Sequence, residues 1–475
     1  RVRLAASDAP VLAGSVEVAF VEPAHERLLF NETAAPTIQS GAGSDLTPIW
    51  DAGIRGQGQI AAVADTGVHV DSCYFEGAGK IVAYQNFASD NDGDRNGHGT
   101  HVAGSVLGDR GGDGVATGED GMAPASRLVA QDVGSGSRLD GIDEDMAVLL
   151  APAYESGARV HNNSWGSNQD DYTAIARSVD AYVFDQPDML VVFANGNSGS
   201  SPGSVGSPAT AKNVISVGAT LNGSNARSMA SFSSHGPASD GRIKPTLSAP
   251  GATNGIFFGG IRSARSGRSC STRALQGTSM ASPITAGAAV LVRQYFMDGF
   301  YPSGVATAAD GFIPSSALLK AVLISGAQDM SGSRTGGAIP SNGQGFGRVN
   351  LDGSLHLDGD TQGLFVSDSE SLDQGEVWSV TLTTDEVSDI KVVLTWIDPP
   401  GEAMSDRALV NDLDLRVEGA AGVYVGNAMR NGVSFIGGEG DAVNVEELVV
   451  LQDAPAGEYI VSVAAANVPM GFRVL

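Results

Sequence analysis

Residues 60–68 read IAAVADTGV. A continuous apolar run of strand length, closed by Asp65, Thr66 and Gly67, predicts a buried strand that delivers a carboxylate at its carboxyl end. Working outward, similar runs recur at Arg127–Val133, Arg159–Ser164, Leu190–Ala194 and Val214–Ala219, each ending in Gly, Asn or Asp. Between and after them lie helical stretches at His98–Leu107, Leu139–Ser156, Ala174–Phe184, Ser279–Phe296 and Ser315–Leu323. Continuous strands alternating with helices predict an α/β fold, a doubly wound and mostly parallel sheet. In such a sheet, chemistry collects at the carboxyl ends of the strands.

Beyond about Leu357 the pattern changes to short alternating runs, such as EVWSVTLTT and DIKVVLTWID, with turns between them. That predicts an all-β sandwich or jelly roll over 356–475, following a catalytic-type α/β domain over 41–355. Residues 1–40 read as an N-terminal arm or a prodomain remnant, with one short strand at Val16–Val21.

Composition narrows the function classes. Glycine supplies 63 of 475 residues, nearly twice the ~7% of average proteins, which suits a turn-rich chain with close backbone contacts. The 28 basic and 54 acidic residues leave a net charge of −26. A field of that sign repels nucleic acid and anionic membranes, and it suits bound Ca²⁺. No apolar run reaches the ~20 residues of a membrane span: the longest, Ala286–Val292, stops at Arg293. Nothing at the start reads as a signal peptide, so the expectation is a mature or a non-exported chain. The two cysteines, Cys73 and Cys270, fit no thiolate metal pattern; they are either one disulfide or two free thiols.

Four segments carry chemistry: IAAVADTGV with Asp65, NGHGTHVAG with His98, VVFANGNSG with Asn195, and GTSMASP with Ser279. A serine hydroxyl is a poor nucleophile until an imidazole takes its proton, and the imidazole needs a carboxylate to hold its tautomer. Ser279 opens a helix, so its backbone N–H and the positive helix end can face a developing oxyanion. Asn195 ends a strand, from which its amide could supply a second donor. A fifth segment, NNSWG, offers Ser164, Trp165 and Gly166 for strand-like pairing with a peptide. Taken singly, a strand-end Asp caps a turn, a Gly-flanked His starts a helix, and Gly-Thr-Ser caps one. Together and in this order they point to a Ser-His-Asp hydrolase.

With these flanks the chain resembles the subtilisin-like serine proteases, the subtilases. The likeness extends through GMAPASRLV, GSPATAKNVISVGAT, FSSHGPASDGRIKPTLSAPG and GFGRVNLD. The tail, with LVNDLDLRV, YVGN and AAANVPMG, resembles the β-domain of the oxidatively stable alkaline subgroup. The resemblance implies a secreted, monomeric serine endopeptidase acting on protein and peptide substrates. It casts Asp65 as orienting carboxylate, His98 as base then acid, Ser279 as nucleophile and Asn195 as oxyanion donor. Ser164, Trp165 and Gly166 would line one groove rim, Ala194 and Gly196 the other. It also implies a prodomain junction near Asn31 and broad specificity for large apolar residues. Cys73, eight residues after Asp65, and Cys270, nine before Ser279, are expected near the catalytic rim, which favours a disulfide over two buried free thiols. Met280, next to the nucleophile, would be open to oxidation.

Calcium is implied by the same resemblance. The tail offers Asp398, Asn411, Asp412, Asp414, Asp441 and Asn444 as hard oxygen ligands. Asp90, Asp92 and Asp94 read either as a second calcium loop or as a solvated acidic loop. Two rival readings are a catalytically silent binding scaffold and a sedolisin-type acid peptidase, which lacks the histidine.

Overall fold

The computed structural model describes residues 31–77, 79–88, 93–136, 138–253, 259–368 and 370–470. Its centre is a seven-stranded parallel sheet, ordered β2-β3-β1-β4-β5-β6-β7. The strands are β1 (Ile60–Asp65), β2 (Ile81–Asn86), β3 (Arg127–Asp132), β4 (Val160–Asn163), β5 (Leu190–Ala194), β6 (Val214–Thr220) and β7 (Leu247–Pro250). Five are the apolar runs read from sequence. β2 escaped because it alternates partly buried and exposed residues at the sheet edge. β7 is only four residues long and ends on a proline. β1 pairs β3 on one side and β4 on the other, with Ala61 opposite both Leu128 and Val160. The chain therefore reverses its direction of travel across the sheet at β1, and the crevice beyond Asp65 is where a site is expected.

Helices cover both faces. α3 (His98–Leu107), α6 (Thr278–Met297) and α7 (Ser316–Ser325) share a core with β1, β3 and β7, through Val102, Val106, Ile284, Leu291 and Leu319. α4 (Ala147–Glu155) and α5 (Ala174–Asp185) pack on the other face through Leu149, Leu150, Val179 and Val183. α4 is shorter than the helical stretch read over Leu139–Ser156, because its Asp-rich first half forms turns that satisfy their own backbone. Small residues fix how closely α3 and α6 meet. A Cβ on Gly287 of α6 would lie 2.9 Å from the Val106 carbonyl and 2.5 Å from Met122 Cβ. With hydrogen there instead, α3 and α6 pack closely; His98 is the first residue of α3 and Ser279 lies in the first turn of α6.

The N-terminal reading is corrected in part. Residues 31–40 form a helix, α1 (Asn31–Ser40), that buries Ala34, Ala35 and Ile38 in the main core. Its carbonyls at Ile38 and Gln39 accept from the N–H groups of Leu351 and Asp352. This segment is a packed element and not an arm; Pro36, which normally argues against a helix, hid it. The strand at Val16–Val21 lies outside the described residues. A short helix, α2 (Pro48–Asp51), follows.

The C-terminal region is antiparallel. A five-stranded sheet is ordered β10-β16-β12-β13-β14, and β11 pairs β15. These are β10 (Val377–Thr384), β11 (Ser388–Thr395), β12 (Asp412–Gly419), β13 (Gly422–Arg430), β14 (Val433–Ile436), β15 (Glu446–Ala454) and β16 (Gly457–Asn467). Trp396, Leu413, Leu415, Val449 and Val461 fill the space between the two sheets. Ion pairs join this region to the α/β unit: Lys212 Nζ lies 3.2 Å from Asp398, and Lys320 Nζ 2.8 Å from Glu446, all nearly solvent-free. A hairpin, β8 (Ile261–Ala264) with β9 (Thr272–Leu275), leads into α6, and Cys270 in its turn is disulfide-bonded to Cys73.

Candidate active site

Asp65 ends β1 with its side chain 3% exposed. Its Oδ1 accepts from the Thr66 N–H at 2.8 Å and faces His98 Nδ1 at 2.7 Å. His98 is the first residue of α3, and its side chain is 27% exposed, so the ring spans from the buried carboxylate to solvent. The second glycine of Gly-His-Gly explains the close fit: a Cβ on Gly99 would fall 2.1 Å from the Gly67 carbonyl and 3.0 Å from Asp65 Cβ. Burial opposes a charge on the ring, yet the Asp65 carboxylate and its hydrogen bond raise the His98 pKa above its usual value.

Asp94 is turned inward and holds the loop before His98. Its carboxylate accepts from Thr66 Oγ1, Gly97 N–H and Thr100 N–H at 2.7–2.9 Å. These donors occupy the oxygens that a calcium loop would need. Asp90 and Asp92 lie outside the described residues.

Ser279 is the second residue of α6. Its hydroxyl donates to the Ser164 carbonyl at 3.1 Å, and Ser164 Oγ donates back to the Ser279 carbonyl at 3.0 Å. Asn162 extends the link, donating to Ser164 Oγ and accepting from Ser282 Oγ. The end of β4 is thus tied to the first turn of α6 by a buried polar chain, and Ser164 holds Ser279 through two hydrogen bonds. Met280 is 1% exposed and packs in the core, away from ready oxidation.

The two asparagines of the Asn-Gly-Asn turn are placed differently. Asn195 is fully buried, and its Nδ2 donates to the Ser234 carbonyl at 2.8 Å. Its backbone N–H and C=O are taken up by Val217 and Gly206. An amide so engaged cannot face a substrate. Asn197, exposed beyond Gly196, is differently placed. Its Oδ1 accepts from the Thr278 N–H at 2.9 Å and Thr278 Oγ1 at 3.1 Å, which leaves Nδ2 free at the turn before Ser279. The signal was present in Asn-Gly-Asn: a residue continuing a buried strand pairs with it, and the first side chain clear of it follows the positive-φ Gly196.

The other groove residues come together. Gly196 N–H donates to Thr278 Oγ1 at 3.2 Å, and Ala194 is buried just before it. Trp165 packs edge-on against Phe193 at 5.3 Å, and Gly166 follows it. Gly206 and Ser207 run between the rims, bonded to Asn195 on one side and to Ser167 and Gln169 on the other.

The tail's ligand set separates. Asp398 is fully buried: its oxygens accept from the Val410 and Asn411 N–H groups and pair with Lys212. Asn411 exchanges both amide bonds with the Met470 backbone. Asp441 accepts from Val443, Asn444 and Asn427, while Asn444 accepts from Ile243 N–H. In this arrangement these four residues already have hydrogen-bond or ion-pair partners. Asp412 Oδ1 remains buried without a partner, as does Oε1 of Glu447, which sequence reading passed over. Burial, with Asp441, Asp414 and Asp412 nearby, raises the Glu447 pKa well above normal. Among the described residues, no three His, Cys, Asp or Glu side chains are grouped to hold a metal.

With this geometry in hand, the model of the Subtilase family matches residues 56–347, from before β1 to beyond α7. The chain belongs to that family. Subtilisin Savinase from Lederbergia lenta is 36% identical over 244 residues, 51% of this chain and 78% of that protein. The serine protease/ABC transporter B family protein tagA of Dictyostelium discoideum is 29% identical over 577 residues and covers 95% of this chain. This chain spans about a third (32%) of the length of that relative. Among solved structures, Sphericase aligns over 62% of this chain and 92% of its own, at 26% identity and a TM-score of 0.46.

Proposed function

We propose that this subtilase hydrolyses peptide bonds of protein substrates through an acyl-enzyme formed on Ser279. The observation that carries the reading is the 2.7 Å contact between His98 Nδ1 and a nearly solvent-free Asp65 oxygen, at the crevice where α6 presents Ser279. That bond assigns the ring proton to Nδ1 and leaves Nε2 basic. Ser279 Oγ, resting on the Ser164 carbonyl, turns about its Cα–Cβ bond to give its proton to Nε2 as it attacks the scissile carbonyl. The carbonyl oxygen becomes an oxyanion between Asn197 Nδ2 and the Ser279 N–H. His98 then protonates the leaving nitrogen, the C–N bond breaks, and water repeats the sequence on the ester. The unprimed half of the substrate lies along Ser164–Gly166 and Ala194–Gly196, pairing as an added strand.

Calcium, where bound, is structural and takes no part in these steps. We propose Asp412 and Glu447 as its ligands, since Asp412 Oδ1 and Glu447 Oε1 are buried without a partner while the other Asp412 oxygen pairs with Arg407. The Cys73–Cys270 bond supports an extracytoplasmic setting, since cytosolic thiols are kept reduced. No helix of the described residues is long and apolar enough to cross a membrane.

The test is intact mass after treatment with a phosphonofluoridate, on wild type and Ser279→Ala in parallel. One adduct on wild type and none on the variant is expected. A well-folded wild type that takes no adduct would overturn the acyl-enzyme reading in favour of a silent scaffold.

A further inference from the structure

The β8–β9 hairpin carries a charge opposite to that of the molecule. Residues 262–273 contain Arg262, Arg265, Arg268 and Arg273 and no acidic residue, within a chain of net charge −26. Arg265, Arg268 and Arg273 are exposed. Arg268 pairs with the exposed Asp71 at 3.0 Å, whereas Arg265 and Arg273 have no carboxylate within ion-pair distance among the described residues. Arg262 is half-buried and donates to Thr272 Oγ1.

The hairpin is held rigidly against the catalytic helix. His101 Nε2 lies 2.9 Å from the Ile261 carbonyl of β8 and 3.1 Å from the Arg273 carbonyl of β9, so one ring N–H serves both strands. Burial pushes the His101 pKa down to about 3, so this donor keeps its tautomer across the working range. Ser266 Oγ donates to the Asp94 carbonyl, and the disulfide fastens the turn to the segment after β1. From this base Arg273 reaches back to His98: its Nη1 bonds the Asn96 carbonyl at 3.4 Å and stands 3.2 Å from where a Cβ on Gly97 would project. Arg95, exposed on the same loop, adds charge of the same sign.

Position decides what this cation can meet. The rims from β4 and β5 attach to Ser279 and Thr278 from one side, through Ser164, Gly196 and Asn197. α3 and the hairpin stand on the other side, where His98 delivers its proton to the departing nitrogen. The leaving half of the substrate therefore passes Arg273. We propose that Arg273, backed by Arg265, binds a carboxylate on the leaving-group side of the scissile bond, making the enzyme selective for acidic residues there. This deepens the peptidase reading and rests on it. A guanidinium meets a carboxylate through paired donors, and the chain's net charge of −26 would otherwise repel such substrates.

The test uses internally quenched peptides with one common unprimed half and Glu, Gln or Lys at the first, second or third residue after the cleaved bond. Matched short peptides end as the free acid or the amide. For wild type at low salt, kcat/KM for Glu over Gln is expected to be about five- to tenfold at one position, collapsing as ionic strength rises to ~0.5 M. Arg273→Gln should bring that ratio to about one, Arg273→Glu should favour Lys, and Arg273→Lys should keep most of the preference. A preference confined to free-acid peptides would support the carboxylate subsite and assign it to a substrate's C-terminus. Equal cleavage of Glu, Gln and Lys peptides, with no acid-over-amide difference, would overturn the inference, as would an unchanged ratio in Arg273→Gln. If Arg273→Gln does not fold, the salt dependence of the wild-type ratio and the Arg273→Lys value decide it. A failure of the peptidase reading is distinct: it would abolish cleavage of every peptide and the phosphonate adduct with it.

Discussion

Asp65 and Asp398 each follow an apolar strand, each is almost solvent-free, and each faces a basic side chain, yet they do unrelated things. Asp65 faces a histidine whose ring reaches solvent, so the pair can pass a proton to something outside. Asp398 faces Lys212, which is fully enclosed; Lys212 also donates to the Pro399 and Ala408 carbonyls of the tail, and the Asp398 carboxylate accepts from the tail's own Val410 and Asn411 N–H groups. In the proposed mechanism the first pair is a catalytic device, whereas the second is a fastening. What separates them is the partner itself, an imidazole that reaches solvent against an enclosed ammonium, which a strand-then-Asp pattern does not show.

The comparison is broken most sharply by removing each acid in turn. Asp65→Asn should lower kcat by about 10⁴ through the wrong tautomer of His98, with the melting temperature almost unchanged. Asp398→Ala should do the reverse. It removes the nearer of the two buried carboxylates beside Lys212 and leaves only Asp180, at 3.6 Å, which should cost up to about 3 kcal/mol of stability, while kcat per folded molecule holds. Thermal melts combined with active-site titration separate the two. A large kcat loss in Asp398→Ala with an unshifted melt would show that the fastening reaches the site.

A second contrast runs between two asparagines inside one loop. Asn197→Ala is expected to cost about 10²–10³ in kcat, the loss of one oxyanion donor, with little change in KM. Asn195→Ala should instead leave the Ser234 carbonyl unpaired and cost about 1–3 kcal/mol of stability. If Asn195→Ala lost kcat in a stably folded enzyme and Asn197→Ala did not, the oxyanion assignment would return to Asn195.

These pairs also define what was legible in the sequence. The parallel sheet could be read because strands buried on both faces are continuously apolar, and Asp65, His98 and Ser279 could be read because glycines and a helix start mark where backbones must meet. The edge strand β2, half-exposed, and the helix around Pro36 gave no such pattern. The choice between Asn195 and Asn197 depends on which residue leaves the sheet first, a question of pairing with β6 that one strand alone cannot answer. In the tail, residue types suited calcium well, but backbone N–H groups and Lys212 already occupied four of the six candidates. Carboxylates that satisfy a metal also satisfy helix ends, turns and lysines, so composition alone overcounts ligands.

The pH profile tests the active half on its own. Because Asp65 raises the His98 pKa above 6.5 and only the neutral ring accepts the serine proton, kcat/KM should climb with pH, with its acid-limb midpoint above 6.5. A midpoint below 5 would assign the limb to a carboxylic acid and remove His98 as the base.

The smallest effect belongs to the tail, where the sign of one substitution separates two states of the same carboxylates. Glu447 is an acid whose folded pKa is raised, so without a cation its ionisation opposes folding as pH rises above the ordinary carboxylate range. Glu447→Gln should therefore be at least as stable as wild type at pH 7.5 in chelator. Calcium bound at Asp412 and Glu447 would reverse that order: the cation needs the charge that folding alone disfavours. Saturating Ca²⁺ is expected to raise the wild-type melting temperature by about 2–4 °C and to leave Glu447→Gln where it was. An equal rise in both proteins would mean that the ion binds elsewhere. The tail would then resemble Asp398 throughout, its carboxylates serving only to fasten the chain.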